Sequence, residues 1–219
     1  MNTNRIRVSA SILTADFGKI GEEVARMEES GVDMIHCDVM DGLFVPNISF
    51  GFKTIADIKK RTRLPLDVHL MIDRPERYIE RFIESGADYL TVHYEATQDL
   101  IATLEAVKKA GGKCGAVISP DTPTAVLTES FPLCDMVLLM SVYPGYGGQS
   151  FIENAVPRMR ELVSLRQKTH SRAVLEVDGG INEATAKRIV AAGADILVMG
   201  NALFAADSPK KIVEGIHAL

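Results

Sequence analysis

The sequence predicts an α/β fold, a closed (β/α)8 barrel, on three observations. Short apolar runs of β type alternate with helical patterns from end to end of the chain, and strict alternation requires parallel strands joined by helical crossovers. The joints from helix to strand repeat one signature: ESGVDMI at 29–35, ESGADYL at 84–90, KAGGKCG at 109–115 and AAGADIL at 191–197. One βα unit therefore recurs along the chain. Eight such units in 219 residues fit a compact barrel near the lower limit of its usual size.

In chain order, strands are expected at 8–12, 34–39, 66–71, 89–92, 113–118, 136–140, 173–177 and 196–199. Helical periodicity lies between them at 18–29, 54–61, 76–84, 99–110, 124–129, 154–167 and 183–191, with 210–218 closing the chain. Gly31, Gly86, Gly111 and Gly193 follow helices at the place where a left-handed residue caps the C-terminus. A doubly wound open sheet is the competing architecture. Against it, no G-x-G-x-x-G follows the first strand and no composition break marks a second domain. A single domain over 1–219 is the reading, since a chain this size buries roughly 70% of its unfolded surface.

A net charge of −5 without a Lys/Arg run of five argues against nucleic acid and anionic membranes. No apolar stretch approaches a membrane span, and MNTNRIRVSA lacks a leader core. Cys37, Cys114 and Cys134 sit in or beside apolar runs at spacings that suit neither a disulfide framework nor a zinc knuckle. A cytoplasmic protein with reduced, buried thiols is expected.

Three strands end in pairs of ligand-type side chains two residues apart: His36 with Asp38, Asp67 with His69, and Glu176 with Asp178. Residues i and i+2 of a strand share a face, so each pair projects together. Any one pair also suits a separately satisfied polar strand end; three pairs converge on one spot if their strands share a barrel. His36, Asp38, His69 and Asp178 then make four ligands for a divalent cation, and Zn, Fe, Mn and Co all accept two imidazoles with two carboxylates. Asp67 and Glu176, one pleat deeper, are placed to orient those ligands. His93 also ends a strand; His170 and His217 read as solvent-facing.

Glycine clusters follow the last three strands: Gly145, Gly147 and Gly148 in SVYPGYGGQSF, then Gly179 and Gly180, then Gly200 before Asn201. Phosphate sites in this fold are commonly built from loops after strands seven and eight, through backbone N–H groups. An acidic chain can thus still hold a phosphate. Met40, Met71 and Met140 end strands; they suit core filling, or a water-excluding lining over a reactive intermediate.

SASILTADF, HCDVMDGLFVPN, PLDVHLM, LLMSVYPGYGGQSF, LEVDGGI and VMGNALF, in this order over nearly the whole chain, resemble the ribulose-phosphate 3-epimerase family. The resemblance implies a ribulose-phosphate-binding barrel that interconverts D-ribulose 5-phosphate and D-xylulose 5-phosphate in the pentose phosphate pathway, with one divalent cation per chain. It assigns His36, Asp38, His69 and Asp178 to the metal and Asp38 and Asp178 to acid/base work. It assigns Ser11 and His69 to the substrate, and Gly145, Tyr146, Gly147, Gly148, Gly179, Gly180, Gly200 and Asn201 to its phosphate end. Inverting a carbon beside a carbonyl needs a proton removed from one face and returned to the other, which two carboxylates supply.

Tyr143, Ser119 and Asn201 depart from the commonest family pattern, and none is in the acid/base set. They bear on chain length, so D-allulose-6-phosphate 3-epimerase is the alternative reading. A lyase on the same barrel would want a Lys at an inward strand end, and no such position identified here is Lys. A non-catalytic binder would not need two carboxylates and two imidazoles in register. A homo-oligomer is expected, with Phe44, Val45, Phe50 and Phe52 as a candidate subunit contact.

Overall fold

A computed structural model describes residues 5–219; positions 1–4, part of the N-terminal stretch that bears on the leader reading, lie outside the described residues. Eight strands close into a barrel in sequence order, every neighbouring pair parallel. They are β1 (Arg7–Ser11), β2 (Met34–Met40), β3 (Leu66–Met71), β4 (Tyr89–His93), β5 (Lys113–Ile118), β6 (Met136–Met140), β7 (Val174–Asp178) and β8 (Ile196–Met199). The helices are α1 (Ile20–Glu29), α2 (Phe52–Lys59), α3 (Ile79–Glu84), α4 (Leu100–Lys109), α5 (Ala155–Lys168), α6 (Glu183–Ala191), α7 (Asn201–Phe204) and α8 (Pro209–His217).

The expected strands match to within one or two residues; the helices differ at three places. Over 124–129 the chain forms a 3-10 turn, Thr124–Leu127, followed by another at Phe131–Leu133. Pro132 disfavours helical backbone at the residue before it, so any helix begun at 124 must end within two turns, and so short a segment does not repay its nucleation. The expected helix at 76–84 splits into a 3-10 turn, Pro75–Arg77, and α3, with Tyr78 at φ −127° between them. The four-residue α7 after β8 was not foreseen; it is shorter than a helical period pattern can reveal.

The capping glycines behave as read: Gly31, Gly86, Gly111 and Gly193 all have positive φ. Outward strand residues such as Val8, Ile35, Cys37, Leu66 and Val68 pack with the helices in one continuous buried cluster. Inward residues divide by height. At the N-terminal end of the barrel, Met34, Tyr89, Met136 and Ile196, one from each even-numbered strand, form an apolar layer. Gly115 lies beside it because a Cβ there would come within 2.6 Å of Thr91 Cγ2 and 3.0 Å of the Met136 carbonyl oxygen.

Candidate active site

Two residues above that layer β2 and β4 turn polar at His36 and Thr91 while β6 and β8 stay apolar at Leu138 and Val198, and His36, Asp67, His69, His93 and Glu176 are wholly buried. Register explains their meeting: His36 is level with Ser11 and Asp67, and Asp38 with His69. Asp178 arrives across the closure, since β7 and β2 are separated only by β8 and β1.

One oxygen, Asp38 Oδ1, lies 3.2 Å from His36 Nε2 and 3.2 Å from His69 Nδ1, while Asp178 Oδ2 is 3.9 Å from His36 Nε2. One ligand atom from each of His36, Asp38, His69 and Asp178 lies within 4.8 Å of the others. Ser11 Oγ donates to Asp38 Oδ2 at 2.7 Å. Below, His36 Nδ1 faces Asp67 Oδ2 at 2.6 Å, and Ser9 Oγ donates to the same oxygen at 3.0 Å. Asp67 thus orients His36, as its position two residues before His69 suggests; neither Glu176 oxygen has a hydrogen-bond partner.

The donor set fits a divalent cation. With Nδ1 given to Asp67, His36 Nε2 is buried without a hydrogen-bond partner, and it points to the spot where Asp38, Asp178 and His69 converge. A buried polar atom left unmatched is costly, and a cation among these four donors removes that cost.

The electrostatics point the same way. Burial disfavours the imidazolium of His36, but Asp67 and Asp38 outweigh it and hold His36 well above its ordinary value. Burial pushes His69 down to about 4, despite the Asp38 carboxylate 3.2 Å from its Nδ1. Burial would raise Asp38, yet His36 and His69 hold it well below the usual carboxylate range. Asp178 goes the other way: burial and the Asp38 carboxylate push it up to about 7. Carboxylates crowded in a dry pocket demand positive charge, which a proton or a cation meets.

Above the cluster a cavity of about 500 Å³ opens to solvent. Asp38 and Asp178 form its floor with Ser11, Met40, Met71 and Met140. Gly145, Tyr146, Gly147, Gly148, Gly179, Gly180, Gly200 and Asn201 line it too. Among the residues assigned from sequence, His36 and His69 lie beneath this lining. Met40 and Met71 pack with Val45 and Met140 with Val142, an apolar collar around the carboxylates.

The loop after β6 is held over the mouth. Asn47 donates to the Gly145 carbonyl at 2.8 Å, Tyr146 to the Pro46 carbonyl at 3.1 Å, and Tyr143 to Asp121 at 3.0 Å. Gly180, at φ +64°, brings its backbone so near Phe151 that a Cβ would lie 2.4 Å from the Phe151 nitrogen. Asn182 then caps α6 through the Ala184 and Thr185 amides.

Sequence reasoning missed Thr14, whose buried Oγ1 lacks a partner and borders Gly200 at the cavity wall. It also gave no role to Glu95, although His93 and Glu95 repeat the two-residue spacing of the other pairs. His217, read as solvent-facing, is partly buried and pairs with Asp33 at 2.8 Å, because α8 lies against the start of β1; His170 is exposed. The candidate subunit contact is engaged within the chain: Val45 is buried, Phe44 packs at a tilt against His93, and Phe50 and Phe52 pack on the core. All three cysteines are free and buried.

These features define an enzyme of the (β/α)8-barrel class with acid/base and metal-type groups under a glycine-walled pocket. Solved structures of the same shape include 3-hexulose-6-phosphate synthase from Salmonella typhimurium, with a TM-score of 0.70, 18% identity and 97% of each chain covered. That likeness shows the fold. The sequence pattern of the ribulose-phosphate 3 epimerase family matches residues 7–204. Ribulose-phosphate 3-epimerase from Bacillus subtilis is 45% identical over 213 residues, 97% of this chain and 98% of that one. The chloroplastic ribulose-5-phosphate-3-epimerase of Arabidopsis thaliana is 44% identical over 97% of this chain and 76% of its own length. The chain belongs to the ribulose-phosphate 3-epimerase family and is an isomerase. No helix among the described residues is long and apolar enough to cross a membrane.

Proposed function

We propose that the chain, one domain over 1–219, interconverts D-ribulose 5-phosphate and D-xylulose 5-phosphate by two-base proton transfer at the third carbon. The observation that carries this is the pair of carboxylates, Asp38 and Asp178, brought from β2 and β7 to one cavity floor beside two imidazoles. Asp38 and Asp178 take and return the proton on opposite faces of the substrate, and Ser11 keeps the Asp38 carboxylate turned toward the cavity. General acid/base action of this kind contributes roughly 10²–10⁴ in rate. His36, Asp38, His69 and Asp178 hold one divalent cation, which when bound supplies positive charge beside the oxygens of the enediolate. Met40, Met71 and Met140 exclude water from that carbanion-like species.

At the other end, the backbone around Gly147, Gly148, Gly180 and Gly200 receives the phosphate. The buried thiols support a cytoplasmic setting, and exposed Leu43 and Ile48 on the loop after β2 support self-association. The test is turnover of D-ribulose 5-phosphate, its unphosphorylated pentulose and D-allulose 6-phosphate, each with and without chelator. Chelator-sensitive turnover favouring the pentulose phosphate is expected. Equal turnover of the unphosphorylated sugar overturns the phosphate end, full turnover after metal removal overturns the cation, and preference for the hexulose phosphate moves the substrate to six carbons.

A further inference from the structure

A chain of hydrogen bonds, buried at His69 and His93, runs away from the substrate cavity to Glu95 at the exposed rim of the barrel. His69 Nε2 is 2.9 Å from His93 Nε2, and His93 Nδ1 is 3.0 Å from Glu95 Oε2. The other carboxylate oxygen of Glu95 accepts from the Ser119 amide at 2.8 Å and from the Thr122 hydroxyl. Arg158 ties down the far side by donating to the Ser119 and Thr122 carbonyls. The two imidazoles stack at 5.0 Å and 26°, and Phe44 covers His93 with ring centroids 4.8 Å apart.

The direction of each proton follows from the end of the chain. An ionised carboxylate only accepts, so Glu95 places the His93 proton on Nδ1 and leaves His93 Nε2 as an acceptor. His69 must then donate from Nε2, which leaves its Nδ1 a bare lone pair. In that tautomer the lone pair faces Asp38 Oδ1 at 3.2 Å, an acceptor facing an acceptor, whereas a proton on Nδ1 would make the same contact a hydrogen bond. His36 reaches the equivalent state in one step, giving Nδ1 to Asp67 and turning Nε2 to the same oxygen.

We infer that Glu95 and His93 form a positioning pair that fixes the ring and tautomer of His69, so that Nδ1 is presented as a ligand to the divalent cation. This rests on the cation reading above. Neither residue lines the substrate cavity, so the pair acts through His69. Outer partners of this kind typically change metal affinity by roughly 10–100-fold.

The test uses the full-length chain with cobalt(II) and zinc(II) as probes. His93→Phe and Glu95→Leu should each bind cobalt roughly 10–100-fold more weakly and shift its visible spectrum. His93→Gln, whose carbonyl can accept from His69 Nε2, and Glu95→Gln, which keeps an acceptor for His93, should recover most of the affinity. In ¹⁵N-histidine spectra of the zinc-loaded wild type, His69 should carry its proton on Nε2. Unaltered affinity and spectrum in both disruptive variants overturn the positioning role, as does a proton on His69 Nδ1. Should His93→Phe fail to fold, Glu95→Leu at the rim and the wild-type tautomer still decide. A wild type that binds neither ion refutes the cation reading itself, and the ligand role of His69 falls with it.

Discussion

The two ends of the barrel interior are built from inward positions of one closed sheet, the lower layer from β2, β4, β6 and β8 and the upper site from β2, β3 and β7, yet they do opposite work. At the N-terminal end Met34, Tyr89, Met136 and Ile196 fill the space with apolar volume. At the C-terminal end of the strands, His36, Asp38, His69 and Asp178 bring ionisable groups together under an open cavity. On β2 alone the change takes one pleat, from Met34 to His36. The lesson is that the closed sheet supplies rigidity at one end and tolerates unmatched polar atoms at the other. Both Glu176 oxygens lack hydrogen-bond partners, a cost the apolar layer and outer core must offset.

If that division holds, substitutions at the two ends separate cleanly. Taken by their effect on turnover, the largest belongs to the upper carboxylates. Asp38→Asn and Asp178→Asn should each lower kcat by at least roughly 10²–10⁴, with metal content measured alongside because both are proposed ligands. Early turnover in D₂O should put solvent deuterium at the third carbon of the product while unreacted substrate stays largely unlabelled; transfer of the original proton would indicate one shared base.

Next comes the glycine wall. Gly147→Asp puts negative charge where the phosphate should sit, and the steady-state kinetics should show a sharply raised KM with kcat less affected. Its φ is ordinary, and the new Cβ meets Thr14 Cγ2 at 2.8 Å and Leu13 Cδ2 at 3.9 Å, so a side chain rather than the backbone must shift. Gly180 is a poorer probe, because there both positive φ and the Phe151 backbone resist a side chain.

At the lower end the expectation reverses. Met136→Ala should cost about 2–5 kcal/mol of stability through the cavity it leaves, measured by denaturant unfolding, while kcat/KM of the folded enzyme stays close to wild type. A large loss of kcat/KM at preserved fold would show that the two layers are coupled.

The smallest effect on turnover concerns pH and the rim. Burial raises the Glu95 carboxyl, but hydrogen bonds from His93, Thr122 and the Ser119 amide outweigh it and hold it at about 2, against 4.5 when free. Because the folded value lies below the unfolded one, this contribution is complete above about 4.5 and is lost as pH falls toward 2. Thermal melts of Glu95→Gln should therefore lose part of the wild-type acid sensitivity in that window; identical slopes would show that Glu95 contributes nothing to it.

What could be read without coordinates was whatever period and spacing encode. The strands, the capping glycines and the three ligand pairs follow from local rules, since strand alternation alone dictates that His36 and Asp38 share a face while Cys37 faces the helices. The helix expected at 124–129 failed because its apolar pattern was local whereas Pro132, just beyond it, set the limit. Short α7 carried no period at all. Tertiary closure decided the rest. Only the register of eight strands places Asp178 beside His36, and only packing sets which histidine nitrogen meets Asp67 and which meets His93. The same closure drew His217 against Asp33 and folded Phe44 inward onto His93. Residue types and their phase are properties of a neighbourhood of a few residues. The meeting of donors from β2, β3 and β7 depends on how the whole sheet closes, and no window of sequence contains that.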